Sequence, residues 1–214
     1  MSAQPMTGPP IDDRRRFKEL WKELVYARLL GGALAGSLDA AYTVCLLQFL
    51  PDYSLLGYLS TVGLCVFLAM PSAVAKRGKV VLPLVAGAVL FGLTAARFGA
   101  TGDSSHLRAC VAILASVAAA MGLTEGLLER SLATLLCGMI GGSITGCGVA
   151  LWAFHYLGIS GEWSGFPANM LAHSVYNATL HLGIGLSLAL GRWIRDLPKR
   201  SAARPGDDAA PPGE

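Results

Sequence analysis

The sequence predicts an all-α polytopic membrane protein, a six-helix transmembrane bundle with both termini in the cytoplasm. Three observations support this fold class: six hydrophobic stretches, a charged fraction of only 14% beside 53% hydrophobic residues, and a one-sided distribution of lysine and arginine. A soluble domain carries about a quarter charged residues, so the composition excludes an ordinary soluble protein. Little polar sequence remains for a second globular domain.

Each hydrophobic stretch is long enough to cross a bilayer, which takes about 20 apolar residues. The six predicted spans are residues 24–50, 55–75, 80–100, 107–128, 132–157 and 166–190. Glycines recur at four-residue spacing in two of the spans, a signature of closely packed membrane helices, so we expect them at helix–helix contacts. These glycines are Gly32, Gly36, Gly138, Gly142 and Gly146.

Lysine and arginine determine the predicted orientation, because cytoplasmic loops are enriched in them. Five lie in the N-terminal tail, five in the C-terminal tail, three at 76–79 and one at 129–131. The loops at the opposite end of the spans show only Arg97 and Arg108. We therefore expect both tails to be cytoplasmic and the chain to lie in a bacterial-type cytoplasmic (inner) membrane.

The chain divides into three predicted parts. A polar tail precedes the spans, the spans form one domain, and a second tail, expected to be disordered because it is rich in Ala, Pro and Asp, follows them. The cytoplasmic N-terminal tail covers residues 1–23, the six-span domain 24–192 and the cytoplasmic C-terminal tail 193–214.

A short basic amphipathic helix is predicted at the end of the N-terminal tail. Phe17, Leu20, Trp21 and Leu24 recur at helical spacing, with basic residues on the other faces. Two interpretations remain open: an anchor on the anionic inner leaflet of the bilayer, or a docking helix for a soluble cytoplasmic or membrane protein partner. The predicted partner-binding residues are Arg14, Arg15, Phe17, Lys18, Leu20 and Trp21.

The last hydrophobic stretch carries four polar residues at four-residue spacing: Asn169, His173, Asn177 and His181. Residues four apart lie on one face of a helix, so these side chains form a single polar stripe. Unsatisfied polar groups are costly in lipid, and the stripe must therefore face other helices or a wet cavity.

Depth estimates at about 1.5 Å per residue place His173 in the same half of the bilayer as Asp39 of the first span. We expect Asp39 or a neighbouring hydroxyl to lie within reach of the His173 ring. The predicted polar intramembrane site comprises Asp39, Arg97, His155, His173, Asn177 and His181.

No cofactor and no metal are expected at this site. His173 and His181 lie about 12 Å apart along the helix, too far to bind one ion, and a metal would need His155, His173 and Asp39 together. The five cysteines all lie in hydrophobic stretches without a Cys-x-x-Cys pair, which favours a packing role. No nucleotide-binding motif is present, and direct nucleic-acid binding is not expected.

Short motifs in the second half of the chain resemble those of the CPBP family of intramembrane proteases, relatives of the prenyl-protein peptidases. Residues 125–130 look like the Glu-Glu-x-x-x-Arg motif with Gly126 in place of the second Glu, and His173-x-x-x-Asn177 looks like the His-x-x-x-Asn motif. The Phe-x-x-x-His motif is matched only by His155, since Leu151 replaces the Phe. The resemblance implies a membrane-embedded hydrolase. The predicted topology places residue 125 at the opposite end of the bundle from both histidines.

Three functions are consistent with these features. The first is a non-enzymatic membrane protein that regulates or sequesters a cytoplasmic partner through its N-terminal arm, as a membrane anti-sigma factor or a complex subunit does. The first alternative is a small proton-coupled transporter with an intramembrane Asp/His relay. The second alternative is the hydrolase. Because no catalytic motif is intact, the sequence favours a protein that is not an enzyme.

Overall fold

A computed structural model describes residues 13–49, 53–76, 81, 84–89, 92–93, 106–156 and 166–202. Its helices are α1 (Asp13–Lys22), a π-helical segment (Glu23–Leu30), α2 (Gly31–Phe49), α3 (Tyr53–Ala75), α4 (His106–Leu128), α5 (Leu132–Tyr156) and α6 (Phe166–Ala202). The described residues contain no strand, which confirms the all-α prediction. Most of the third predicted span, 80–100, lies outside the described residues, although 84–89 are helical.

Three of the described helical stretches are long and apolar enough to cross a membrane. They are Arg14–Leu46, Val111–Leu128 and Leu132–Ala153. Large apolar side chains also point away from the bundle: Leu34, Ile144 and Leu171 are 63%, 67% and 66% exposed. An apolar outer surface around a helical bundle is typical of a membrane protein, because lipid rather than water covers it.

Helix α6 occupies the centre of the bundle and contacts α2, α3, α4 and α5. Its buried residues Leu180, Ile184 and Leu188 belong to the main apolar core together with residues of the surrounding helices. These three lie four residues apart, so they share one face of α6. The predicted polar stripe runs along a neighbouring face of the same helix.

Helices α4 and α5 form an antiparallel hairpin with a very short turn. The Ser131 hydroxyl accepts a hydrogen bond from the Thr134 N–H at 3.3 Å, which caps the start of α5. Arg130 has a φ of 49°, in the left-handed region, and its N–H donates to the Leu127 carbonyl at 3.0 Å. Together these contacts reverse the chain within three residues.

The five predicted contact glycines all lie where two helices approach closely, which confirms that prediction. A Cβ added to Gly142 would overlap the backbone at Ala118 of α4, and one added to Gly32 would lie 2.9 Å from the Ala178 Cα of α6. Gly138, Gly146 and Gly36 meet the backbone of a neighbouring helix in the same way. Small residues therefore set the helix spacing in both halves of the bundle.

One helix boundary agrees with the sequence prediction and one differs. The amphipathic helix of the arm runs into the first predicted span as expected, and the two form one uninterrupted helix from Asp13 to Phe49. Helix α6 continues to Ala202, beyond the predicted end of the last span and into the tail expected to be disordered. Residues 203–214 lie outside the described part of the chain.

Candidate functional site

The first polar centre lies where α2 crosses α6. Gly36 of α2 approaches the backbone of His173 and Ser174 so closely that a Cβ would overlap it. Just under one turn further along α2, Asp39 is almost completely buried, with 1% of its surface exposed. The absence of a side chain at Gly36 thus brings the Asp39 carboxylate against the polar face of α6.

Asp39, His173 and Tyr176 form a hydrogen-bonded cluster, named here the trio. Asp39 Oδ2 lies 2.7 Å from His173 Nδ1, and it accepts a hydrogen bond of 3.0 Å from the Tyr176 hydroxyl. The same hydroxyl lies 3.0 Å from His173 Nδ1. The contact between Asp39 and His173 that we expected from the sequence is therefore present, with Tyr176 as an additional member.

Next to the trio, a pair of serines joins the same two helices. The Ser37 and Ser174 hydroxyl oxygens lie 2.6 Å apart, so one hydroxyl donates to the other, and the accepting hydroxyl is free to donate to a carbonyl one turn back in its own helix. Interhelical hydrogen bonds between small polar residues are a common way to hold membrane helices together. The serine pair therefore helps to fix the α2–α6 crossing on which the trio depends.

The polar stripe continues from the trio along the buried face of α6. Asn177 is fully buried; its Nδ2 donates to the His173 carbonyl at 3.1 Å, whereas its Oδ1 has no hydrogen-bond partner. His181 is also fully buried, and neither ring nitrogen forms a hydrogen bond. The backbone of Leu68 approaches the ring without hydrogen-bond geometry. These residues face the bundle interior rather than lipid.

The other residues of the predicted site lie elsewhere. Arg97 and the Asn169 side chain lie outside the described residues, and His155 is exposed in the last turn of α5. Within the described ranges, no three His, Cys, Asp or Glu side chains are placed where they could hold a metal ion. The described part of the site that lies inside the bundle is thus the trio followed by Asn177 and His181.

A second polar centre lies nearer the end of the bundle at which the α4–α5 turn is found. Arg28 forms a bidentate ion pair with Glu125, with Nη1–Oε1 and Nη2–Oε2 distances of 2.8 and 2.5 Å. Arg28 Nη1 also donates to the Ser72 hydroxyl at 2.8 Å. All three residues have 0% exposure, so the pair is completely removed from solvent and lipid. It connects the first helix to α3 and α4.

Four more charged residues surround this pair. Glu23 lies 3.3 Å from Arg28 and 2.9 Å from Arg192 of α6. Glu129 lies 2.8 Å from Arg192 and 2.6 Å from Lys76. We name the whole set the ionic cluster; it consists of Glu23, Arg28, Ser72, Lys76, Glu125, Glu129 and Arg192.

The ionic cluster contains three carboxylates and three cations, so its charges balance. Burial by itself raises the pKa of Glu129, but hydrogen bonds and charges from Arg192 and Lys76 outweigh it and hold that pKa below its ordinary value of 4.5. Burial lowers the pKa of Arg192, and its bonds to Glu23 and Glu129 more than reverse this effect. Both groups are therefore charged at neutral pH.

The π-helical segment is responsible for one contact of the ionic cluster. Glu23 and Arg28 are five residues apart, and in an α-helix they would point about 140° apart at roughly 100° per residue. In a π-helix the backbone hydrogen bonds join residues five apart, so the two side chains lie over one another. Their side chains are 3.3 Å apart in the structure.

The sequence prediction missed Arg28, although a signal was present. The chain has 17 Lys and Arg residues, and all except Arg28 lie in the tails and loops that were counted to predict the topology. Arg28 instead falls inside the first predicted span. A cation at such a position needs a buried partner. Glu125, at the end of the fourth predicted span, was the available acid. Nothing in the sequence signals the π-helical winding around Arg28.

The predicted partner-binding arm is helical and largely exposed. Phe17 and Trp21 are 66% and 59% exposed, and their rings stack with centroids 6.5 Å apart. Arg14, Arg15 and Lys18 are exposed as well, and Leu20 is half-buried. A cleft of about 590 Å³ separates the arm from α6; it is lined by Arg16, Phe17, Glu19, Leu20, Glu23, Ala189, Arg192, Trp193, Arg195 and Asp196.

The protease-like motifs do not converge. Glu125 is bound by Arg28, whereas His173 is bound by Asp39. Arg28 and Asp39 lie on one continuous helix, about 16 Å apart along its axis at about 1.5 Å per residue. A general base at that distance cannot act on a water molecule held by His173. No family model, curated protein or solved structure matches this chain.

Proposed function

We propose that this protein is a small proton-coupled transporter whose relay begins at the trio. The observation that carries the proposal is a buried carboxylate, Asp39, which shares one oxygen with an imidazole and a phenol between two helices. Ionisable side chains are costly inside a membrane bundle and commonly mark proton or ion pathways. The structure thus gives more support to the relay than to a regulatory or hydrolytic role.

The proposed topology has six spans with both tails in the cytoplasm of an inner membrane. The ion pair between Arg16 and Asp196, 3.2 Å long, supports it, because it joins the beginning of the first helix to the end of α6. Lys76, Arg192 and Arg195 lie at that same end through their contacts with Glu129. A basic end of a membrane bundle is the end expected to face the cytoplasm.

The trio can exchange a proton without leaving an isolated charge. While Nδ1 remains against Asp39 Oδ2, protonation of the His173 ring produces a cation beside an anion, and the two charges offset each other. The Tyr176 hydroxyl also donates to this carboxylate. The ring is therefore the group that alternates.

Proton flux across liposomes tests this function. Purified protein is reconstituted around a trapped pH-sensitive dye, and a potassium diffusion potential drives proton entry. We expect wild-type protein to admit protons and Asp39→Asn or His173→Gln to fall to the rate of protein-free liposomes. Ser143→Ala is a matched control, because within the described residues the Ser143 hydroxyl bonds to its own helix, at the Met139 carbonyl.

Two results would contradict the transporter. One is an Asp39→Asn protein that admits protons as fast as the wild type. The other is wild-type protein that is no faster than empty liposomes although it is folded, as judged by a single symmetric peak in size-exclusion chromatography.

A second candidate function is regulation of a cytoplasmic partner through the arm. The specific observation is the exposed stack of Phe17 and Trp21 on a helix with five basic residues, which are Arg14, Arg15, Arg16, Lys18 and Lys22. Exposed aromatic rings within a basic surface fit a partner segment that is both acidic and apolar.

Photo-cross-linking in cells tests the arm. A photoreactive amino acid at position 17 should form a defined protein adduct, and Lys18→Glu with Lys22→Glu should abolish it by reversing two exposed charges. Deletion of residues 12–22 should leave membrane insertion intact and remove the biological effect. Adducts to lipid alone would overturn this second function and favour an interfacial anchor.

A further inference from the structure

Buried polar atoms without partners form a row between the trio and the ionic cluster. The row begins at Asp39 Oδ1, continues with Asn177 Oδ1 and both ring nitrogens of His181, and ends at Arg28 Nε. Of the buried side-chain atoms that lack a partner in the described part of the chain, only Thr134 Oγ1 does not belong to it. The order follows α6, because Gly185, one turn after His181, contacts the Arg28 side chain.

We propose that this row holds a chain of bound water molecules that joins the trio to the ionic cluster. Buried polar groups in proteins are almost always hydrogen-bonded to protein or to ordered water, and a cluster of unsatisfied ones is where internal water binds. Asn177 and His181 are each 0% exposed, so bulk solvent does not satisfy them. The ligand inferred here is water.

The spacing on α6 suits single bridging waters. Asn177 and His181 are one turn apart, with side chains about 5–6 Å from one another at the Cβ atoms. Two hydrogen bonds of about 2.8 Å each, through one water, span that distance. Asn177 Oδ1 accepts and a neutral imidazole offers both a donor and an acceptor, so a water molecule can bond to both residues.

The two ends of the row are chemically suited to water as well. Asp39 Oδ1 is an acceptor on a carboxylate whose other oxygen is already used by His173 and Tyr176. Arg28 Nε–H is a donor on a guanidinium whose terminal nitrogens are used by carboxylates and a serine. The row therefore begins at an acceptor and ends at a donor, and water molecules, which both donate and accept, can bond to each of these groups.

This inference deepens the proposed function, because such a chain would carry protons onward from His173, but the hydration itself does not depend on transport. Solid-state NMR of full-length protein in lipid bilayers, labelled with ¹⁵N-histidine, tests it directly. The chain has four histidines, and single His substitutions assign the signals. We expect magnetisation transfer from water to the His181 ring, although the residue is fully buried.

Two variants on α6 sharpen the measurement. Asn177→Leu removes the acceptor next to His181 and should abolish the water signal at that ring. Thr179→Val changes a polar residue of the same helix whose side chain is exposed, and the signal should persist. A His181 ring that receives no magnetisation from water in wild-type protein would overturn the inference, as would an unchanged signal in Asn177→Leu.

The outcomes separate the two proposals. A water signal at His181 with no proton flux in wild-type protein supports the water chain and contradicts the transporter. If proton flux depends on Asp39 but the His181 ring gives no water signal, the result contradicts the water chain and supports the proposed transport function.

Discussion

The two polar centres of the bundle differ in how completely their charged groups are matched. In the ionic cluster, Arg28 binds two carboxylates and a hydroxyl, and three acids face three bases. In the trio, Asp39 shares one oxygen with two partners while its other oxygen has none. Both centres are buried between helices, so burial alone does not distinguish them.

The difference indicates a division of roles. A buried ion pair whose opposite charges are matched keeps one arrangement, because any movement would leave a charge unpaired. A histidine against a buried carboxylate can gain and lose a proton with little rearrangement, because the carboxylate offsets the charge of the protonated ring. We therefore assign a structural role to the ionic cluster and a chemical role to the trio. Substitutions can test that assignment in both directions.

The largest change in the free energy of unfolding is expected when the Arg28–Glu125 pair is broken. Arg28→Leu leaves Glu125 buried without its cation and should destabilise the protein by about 3–5 kcal/mol. The double variant Arg28→Leu/Glu125→Leu should recover much of that loss, because no unpaired charge remains. Reversible unfolding in SDS measures the free energy. Arg15→Gln is the control, since Arg15 is highly exposed and should leave stability unchanged.

Gly36→Ala should have the next largest effect and bears on the trio. The added methyl would overlap the His173 backbone and force α2 away from α6, at a cost of about 1–3 kcal/mol. We also expect proton flux to fall, because the Asp39–His173 contact would lengthen. Gly148→Ala is the matched control, because among the described residues its Cβ would meet nothing within 4 Å. If Gly36→Ala were as stable as Gly148→Ala, the close approach of α2 and α6 would be wrong.

A smaller change in stability is expected for Asp39→Asn. The amide keeps a hydrogen-bond acceptor and removes a buried charge, so the free energy of unfolding should change by no more than about 1 kcal/mol. Proton flux, in contrast, should be lost. A stability loss as large as that of Arg28→Leu would show that both centres are structural and would remove the proposed division of roles.

The smallest expected effect is a change in how the free energy of unfolding depends on pH. Glu129 has a pKa below 4.5 in the folded protein, so its interactions contribute stability above that value, and the contribution is lost as the pH falls through the lowered pKa. The charged groups in contact with it are Lys76, Arg192 and Arg195. In Glu129→Gln, the free energy of unfolding should therefore decrease less than in the wild type as the pH falls. Unfolding measured between neutral and acidic pH tests this. Glu19→Gln, at an exposed carboxylate, should not.

The sequence predicted helix positions well wherever polar residues interrupt an apolar pattern. The expected span 107–128 appears as His106–Leu128, and 132–157 as Leu132–Tyr156, because Glu129, Arg130 and Ser131 separate two apolar runs. The amphipathic helix of the arm continues directly into the first apolar stretch, as expected. Composition changes at that point while the backbone remains helical.

The candidate site was predicted only in part, for reasons specific to each residue. Depth along two antiparallel helices was enough to bring Asp39 and His173 together. Tyr176 was missed because a tyrosine within a span usually packs against its neighbours, and its polar group gives no periodic signal. Arg28 was missed because it interrupts an otherwise apolar stretch, and its partners come from helices that are distant in the sequence.

The unbroken helix from Asp13 to Phe49 has a mechanical consequence. It is about 55 Å long at about 1.5 Å per residue, and it carries the exposed arm at one end and Asp39 deep in the bundle. Because the helix is continuous, a rotation of the arm about the helix axis at Phe17 is transmitted to the Asp39 carboxylate unless the segment between them deforms. The π-helical turns around Arg28 interrupt the regular α-helical winding between these two points, and the ionic cluster holds the helix at that position.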